Sequence, residues 1–305
     1  MATATPATDL GSDAANGITG QSVNIVSGAF SLKGTLRTPA GLPRMAVVIH
    51  GATGVPAWYY GAFAAWLAAE HDAAVLTYDY RDFAASSVAH PRLSKATMSD
   101  WGLSDQGAAL AELSRRFPDV PLRVIGHSLG ALWLAFHEDI GRVDRVVAVA
   151  SGPAYWLNHP LSYMPAVVWF WWLGGPPVVG LTGYMPGRLG LGPDLPAGVY
   201  WQWRRWCLAR AFHRADWGKS LPMPKLEAAR FQLTCVALAD DVLIPPKFAA
   251  QLASFYPFAQ ATSATIEPAV FGLNSIGHTG VFAKRCCAVW PRLVAGLVTG
   301  VETPV

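Results

Sequence analysis

Leu122-Arg-Val-Ile-Gly-His-Ser-Leu-Gly130 joins a short apolar run to a Gly-His-Ser-Leu-Gly turn. The run is typical of a strand buried on both faces, and Ala131 to Glu138 after it is predicted to be helical. G-x-S-x-G between a strand and a helix is the pattern of a nucleophile elbow, in which Ser128 would be the nucleophile. Glycine is needed on both sides because a side chain there would collide with a neighbouring element. The alternative is a structural turn in which Ser128 caps the helix.

The surrounding sequence alternates strands and helices. A hairpin is predicted over Val23 to Leu36. Further strands are predicted at Met45 to Ile49, Ala74 to Tyr80, Val143 to Ala150, Phe231 to Leu238 and Thr262 to Ile266, with helices at Trp58 to Ala69, Asp100 to Phe117, Pro246 to Phe255 and Gly280 to Val298. This alternation predicts a mostly parallel sheet with helices on both faces.

A base and an acid are expected to follow Ser128 in the chain. His278 lies in Ile276-Gly-His-Thr-Gly280, a glycine-flanked loop that suits a histidine at a pocket surface. Asp240 and Asp241 follow the strand that ends at Leu238, and the carboxyl end of such a strand faces the ligand. Either aspartate is a candidate for the acid, while Asp79 is predicted to be structural.

An oxyanion formed on attack by Ser128 needs two hydrogen-bond donors. The N–H of Leu129, which follows the nucleophile, is the first candidate. The second is the N–H of Ala52, in the loop after His50-Gly51 at the end of an earlier strand. The hydroxyl of Thr53 could replace it. His50 and His127 are predicted to be structural.

The composition excludes several classes of protein. A formal charge of +3 with scattered basic residues does not predict a nucleic-acid partner. The four cysteines lack metal or redox spacing, which favours a cytoplasmic location. Residues 1–21 lack the features of a secretory signal and are predicted to be a flexible tail. The oligomeric state is left open.

Residues 153–225 interrupt the alternation with a segment rich in Trp, Pro and Gly. They are predicted to form a helical cap on a core made of residues 22–152 and 226–305. Eight of the 13 tryptophans lie in this segment, most of them expected to pack and a few to line a pocket. Pro160 to Gly187 carries no charge, and a buried or substrate-facing lid is favoured over contact with a membrane surface or a membrane span.

These motifs together resemble the α/β-hydrolase superfamily over residues 22–300, and especially a poorly characterised bacterial group of predicted hydrolases with similar cap runs such as Trp201-Gln-Trp-Arg-Arg-Trp206. The resemblance implies an eight-stranded, mostly parallel sheet, a cap inserted after strand 6, and neither a metal nor an organic cofactor. It also selects Asp241, four residues before Pro245, as the acid. Where the family has D-Y-R-G-x-G-x-S, this chain has Asp79 to Ser86 without either glycine, so that loop is expected to bend differently.

The predicted function is therefore hydrolysis of a small-molecule carboxylic ester through an acyl-enzyme on Ser128, with an apolar capped pocket. The same three residues would also serve an acyltransferase, an amidase or a thioesterase. Two further possibilities are a lipase-like enzyme that docks on a membrane through the cap, and a non-catalytic binding protein. An intact set of Ser128, Asp241 and His278 argues against the binding protein.

Overall fold

The computed structural model describes residues 17–190 and 192–298, and its centre is a large sheet. The strands are β1 (Ile18–Ser27), β2 (Phe30–Pro39), β3 (Met45–His50), β4 (Ala73–Tyr78), β5 (Leu122–His127), β6 (Val143–Val149), β7 (Tyr184–Met185), β8 (Leu195–Pro196), β9 (Gln232–Leu238) and β10 (Gln260–Ile266). Eight of them form the large sheet, in the spatial order β1-β2-β4-β3-β5-β6-β9-β10. All neighbours from β4 to β10 in this sheet are parallel, and only β1 and β2 run antiparallel to their partners. The predicted mostly parallel eight-stranded sheet is confirmed.

The first strand begins earlier than the sequence pattern indicated. Residues 18–21 were expected in the tail, but they pair with β2, and Ile18 is buried. Residues 1–16, which make up most of the predicted tail, lie outside the described residues.

Helices cover both faces of the sheet and separate two apolar layers. Their bounds are α1 (Gly61–His71), α2 (Gln106–Arg116), α3 (Met164–Val168), α4 (Gly175–Thr182), α5 (Ala197–Cys207), α6 (Pro246–Leu252), α7 (Gly277–Gly280), α8 (Trp290–Leu293) and α9 (Ala295–Val298). The central strands β3 and β4 are buried along their whole length, because helices cover both of their faces. Their continuous apolar runs follow from this burial.

Two predicted helices do not form continuous elements. Ala131 to Glu138 contains short 3₁₀ turns at Ser128–Ala131, Leu134–Phe136 and Glu138–Arg142 instead of an α-helix. Gly280 to Val298 is divided into a 3₁₀ turn at Lys284–Val289 followed by α8 and α9. In the second case Pro291 enters at the start of α8, where it cannot continue a preceding helix because it lacks an N–H.

The loop Asp79–Ser86 bends in the way that glycines would allow, although both glycines are missing. Asp82 has φ of 54° and Ala84 has φ of 45°, both in the left-handed region. Glycine would adopt this conformation without the steric cost that a side chain brings at each position.

The insertion, residues 153–225, lies between β6 and β9. It contains α3, α4 and α5, a π-helical turn at Trp169–Leu173, and the two-residue antiparallel ladder of β7 and β8. Its buried apolar residues belong to the same core cluster as one face of the sheet. His213 stacks on Trp133 with ring centroids 4.5 Å apart and hydrogen-bonds the Leu132 carbonyl at 3.2 Å.

Candidate active site

The turn after β5 holds Ser128 in a strained conformation. Its φ of 52° lies in the left-handed region, which is costly for a residue with a side chain. A Cβ at Gly126 would come within 2.6 Å of the Ala131 Cβ, and one at Gly130 within 2.0 Å of the His50 carbonyl oxygen. The glycines are therefore required for close packing, as the sequence predicted. The element that begins at Ser128 is a short 3₁₀ turn, Ser128–Ala131, and not the start of a long helix.

The histidine loop and the acid loop meet beside this turn. His278 Nδ1 lies 2.7 Å from Asp241 Oδ2, and the Asp241 side chain is completely buried. Asp241 Oδ1 accepts hydrogen bonds from the N–H groups of Leu243 and Ile244, at 2.8 and 3.0 Å. These donors fix the carboxylate and leave its second oxygen for the imidazole.

Asp240 has a different position from its neighbour. Its carboxylate accepts hydrogen bonds from the N–H groups of Ile276 and Gly277, at 2.8 and 3.0 Å. It therefore holds the backbone of the histidine loop, and Asp241 alone contacts the imidazole. These contacts favour Asp241 over Asp240 as the partner of the imidazole.

Two other buried carboxylates serve the neighbouring loop. Asp79 accepts from the N–H groups of Ala57 and Ala85, and burial raises its pKa to about 6. Arg81 pairs with Asp105, at 2.7 Å, and not with Asp79. Both carboxylates satisfy backbone or arginine donors, so the structural role predicted for Asp79 fits its contacts.

His127 links the nucleophile strand to the histidine loop. Its Nε2 donates to the His278 carbonyl at 3.0 Å, so Nδ1 is the acceptor, and it receives the hydroxyl of Tyr60 at 2.8 Å. Burial, followed by the effect of nearby His278, lowers the pKa of His127 well below the usual histidine value. A neutral His127 agrees with this hydrogen-bond pattern. The sequence predicted a structural residue here but not its contact with the His278 backbone.

The Tyr60 hydroxyl is also the hydrogen-bond acceptor of the Ala52 N–H. This N–H donates to Tyr60 Oη at 2.9 Å, and Ala52 is 1% exposed. Ala52 is therefore not free to bind an oxyanion in this structure, which corrects its prediction as the second donor. Thr53 lines the cavity with Ser128 and Leu129. Among the described residues, nothing hydrogen-bonds the Thr53 hydroxyl.

Ser128 and His278 open into one apolar cavity of about 1120 Å³. Three insertion tryptophans line it, namely Trp169, Trp171 and Trp203, together with Trp58 from the sheet domain. Of the remaining insertion tryptophans, Trp206 is fully buried in the core. The expectation that only a few insertion tryptophans line the pocket agrees with this arrangement.

The insertion contacts the acid loop through His159. Its Nδ1 lies 3.1 Å from the Val242 carbonyl oxygen, and His159 itself lines the cavity. The arginine pair of the insertion is occupied elsewhere. Arg205 pairs with Asp216, and Arg204 Nε donates to the Trp171 carbonyl at 2.6 Å. Neither arginine is among the cavity-lining residues.

Ser128 Oγ forms no hydrogen bond with a described residue. The hydrogen bond between His278 and Asp241 is formed, whereas the one between Ser128 and His278 is not. Catalytic contacts of this kind are often long before substrate binds and tighten in the complex. The arrangement supplies a strained serine, an oriented imidazole and a buried carboxylate around one apolar cavity.

Two of three comparisons with known proteins find similarity to this chain. Residues 42–183 match the model of a family described as serine aminopeptidase, S33, which is slightly less than half of the chain. No curated protein matches the sequence.

Solved structures with the same fold include three from distant organisms. An esterase from Pyrococcus furiosus is 12% identical, with a TM-score of 0.52 over 93% of this chain and 91% of that chain. Mouse α/β hydrolase domain-containing protein 10 is 12% identical, with a TM-score of 0.53 over 91% and 98%. A serine hydrolase without a lid from Xanthomonas campestris is 10% identical, with a TM-score of 0.51 over 93% and 97%.

The fold is that of the α/β hydrolases, with a strained serine after the fifth strand. The solved structures share this fold with the chain. The match over residues 42–183 is to a hydrolase family and supports a hydrolase.

Proposed function

We propose that the protein hydrolyses carboxylic esters through an acyl-enzyme on Ser128. The observation that carries this proposal is the hydrogen bond between His278 and buried Asp241, formed in the wall of the cavity that also holds strained Ser128. A serine in this setting is a nucleophile when a neighbouring imidazole can take its proton.

In the first half-reaction Ser128 Oγ attacks the ester carbonyl carbon while His278 Nε2 accepts the hydroxyl proton. The tetrahedral intermediate collapses, the C–O bond to the alcohol breaks, and His278 returns the proton to the leaving alkoxide. Water then attacks the acyl-enzyme with the same base. Asp241 keeps the Nδ1–H of His278 directed away from Ser128 and stabilises the imidazolium.

The oxyanion needs donors that face the cavity. Leu129 lines the cavity directly after Ser128, and its N–H is the proposed first donor. The hydroxyl of Thr53 is the proposed second donor, because the Ala52 N–H is bonded to Tyr60.

The cavity wall favours an apolar acyl group. Aromatic side chains from the insertion and from Trp58 cover large areas with little loss of conformational entropy, and they keep water from the acyl-enzyme. Binding energy for the substrate would come mainly from this apolar surface, because the two insertion arginines lie outside the cavity lining.

Hydrolysis of a p-nitrophenyl ester series from acetate to palmitate tests the proposal. We expect turnover by the wild type and loss of turnover in Ser128→Ala. A fluorophosphonate should label wild-type Ser128, as read by peptide mass spectrometry. Equal turnover by both proteins would contradict the mechanism. Absence of both turnover and labelling in the wild type would contradict the function.

A further inference from the structure

The helical segment Met164–Thr182 exposes one apolar face to solvent. The exposed residues recur at helical spacing, whereas Val167, Trp171, Gly175 and Val179 are buried on the opposite side. The exposed positions, which we call the outer face, are Pro165, Ala166, Trp169, Trp172, Leu173, Pro177, Gly180 and Leu181. Leu173 and Leu181 are 68% and 88% exposed. A continuous exposed apolar surface of this kind marks an interaction site.

This segment is as apolar as a core helix, but most of it is not buried in the protein. It is the one helix among residues 17–190 and 192–298 that is long and apolar enough to cross a membrane, yet only 22% of its most apolar window is buried. A buried or substrate-facing lid, which the sequence favours, does not account for the solvent-exposed part of this segment. Because Val167 and Trp171 belong to the protein core, the segment stays attached to the domain and can contact a bilayer only with its outer face.

Charge around the outer face indicates which partner it would meet. The insertion carries seven lysines and arginines and two aspartates, a formal charge of +5, whereas the rest of the chain carries −2. Arg204 lies over the Trp172 ring at 4.9 Å, and Arg92 lies beside Gly183 at the end of the segment. Arg188 is exposed beside Leu189, which is itself exposed. Basic residues around an apolar face complement anionic lipid headgroups.

The outer face is continuous with the cavity. Ala166 and Trp169 belong to both, and Leu189 is exposed at the same opening. We propose that the outer face of the insertion docks on the surface of an anionic phospholipid membrane, with Trp169 and Trp172 in the headgroup region and the cavity opening beside the lipid. Docking does not depend on the proposed ester hydrolysis.

Vesicle flotation tests the docking. The probes are vesicles of phosphatidylcholine alone and of phosphatidylcholine mixed with phosphatidylglycerol in equal parts. We expect the wild type to float with the anionic vesicles and to dissociate as salt is raised. The variant Leu161→Gln/Leu173→Gln/Leu181→Gln changes two leucines of the outer face and exposed Leu161, which lies just before the segment. It should bind at least about tenfold more weakly, because it removes apolar contact with the lipid. All three positions are exposed and none lines the cavity, so the fold and the site are expected to be retained.

A matched control places the same change elsewhere on the surface. Leu42→Gln/Val270→Gln alters two exposed apolar residues outside the insertion and should bind vesicles like the wild type. Failure of the wild type to float, or equal binding by the triple variant, would overturn the proposal. A dimer in solution that the triple variant dissociates would assign the face to a second copy and would also overturn it. Fluorophosphonate labelling of Ser128 in the same samples reports the proposed function separately.

Discussion

The loops at the carboxyl edge of the sheet and the insertion above them are stabilised by different forces. In the loops, short polar contacts fix each group, as where Asp241 receives two N–H groups and the imidazole of His278. In the insertion, aromatic contacts dominate, as where Trp171 stacks on Tyr200 with centroids 5.9 Å apart. The outer face of the insertion even leaves apolar side chains exposed.

This difference separates chemistry from substrate access. Hydrogen bonds with fixed partners define the positions of reacting groups and tolerate little change. Aromatic packing is less directional, so an insertion can change its pocket shape or its outer surface without moving the catalytic groups. Substitutions in the loops should therefore affect the rate, whereas substitutions in the insertion should affect the choice of substrate or of surface.

The largest expected effect comes from the adjacent aspartates. Asp241→Asn should lower kcat by about 10⁴-fold, because the amide can no longer fix the His278 tautomer and stabilise its cation. Asp240→Asn is the matched control, and it should lose far less because it changes only an anchor of the histidine loop. Steady-state ester hydrolysis measures both. Equal losses would mean that Asp241 has no special role.

The local sequence does not distinguish Asp240 from Asp241 as the partner of His278. Both aspartates follow the same strand, and only the three-dimensional path of the histidine loop decides which one meets the imidazole. The turns that carry Ser128 and His278 were predictable because glycine patterns mark them locally. The Ala52 N–H was misassigned because its acceptor, Tyr60, comes from the next helical turn and carries no motif. Exposure of the outer face also depends on tertiary packing, which an uncharged run does not reveal.

Acid should weaken the attachment of the insertion to the sheet domain. Burial lowers the pKa of His213 to about 3, far below its value in the unfolded chain. The unfolded state therefore binds the proton first, and stability is lost as the pH falls below about 6.5 towards 3, by roughly 3 kcal/mol at pH 4. Urea denaturation at a series of pH values measures this loss.

The variant His213→Gln controls for titration. A glutamine can donate to the Leu132 carbonyl and accept from Trp217, the two hydrogen bonds of His213, but it does not ionise. We expect its stability to depend less on pH than that of the wild type. An unchanged slope would show that His213 does not contribute to acid denaturation.

Substitutions of Thr53 test whether its hydroxyl stabilises the oxyanion. Thr53→Val removes the hydroxyl and should lower kcat by about a hundredfold if that group stabilises the oxyanion. Thr53→Ser keeps the hydroxyl and should retain most of the activity. Comparable kcat values for Thr53→Val and the wild type would exclude the side chain as a donor. Ester hydrolysis with saturating substrate separates this effect from a change in binding.

Substitutions in the insertion should change substrate specificity more than the rate of the chemical step. Trp203→Ala enlarges the cavity next to Trp171, so the preferred acyl chain should lengthen and kcat/KM for short esters should fall by roughly tenfold. Trp201→Ala is the matched control, because Trp201 is exposed and does not line the cavity. The p-nitrophenyl ester series reports both variants. An unchanged chain-length profile in Trp203→Ala would contradict the role of the insertion in substrate choice.

The smallest expected effect concerns backbone strain in the loop Asp79–Ser86. Ala84 has φ of 45°, where a Cβ costs energy that glycine avoids, so Ala84→Gly should raise the free energy of unfolding by about 1 kcal/mol. Ala85→Gly next to it has no left-handed backbone to relieve and should lower stability instead, because glycine gains more freedom in the unfolded chain. Thermal unfolding should shift upward by roughly 2 °C for Ala84→Gly. A downward shift of equal size in both variants would mean that the left-handed turn stores no strain, and that the loop tolerates the loss of its glycines through the hydrogen bonds of Asp79 alone.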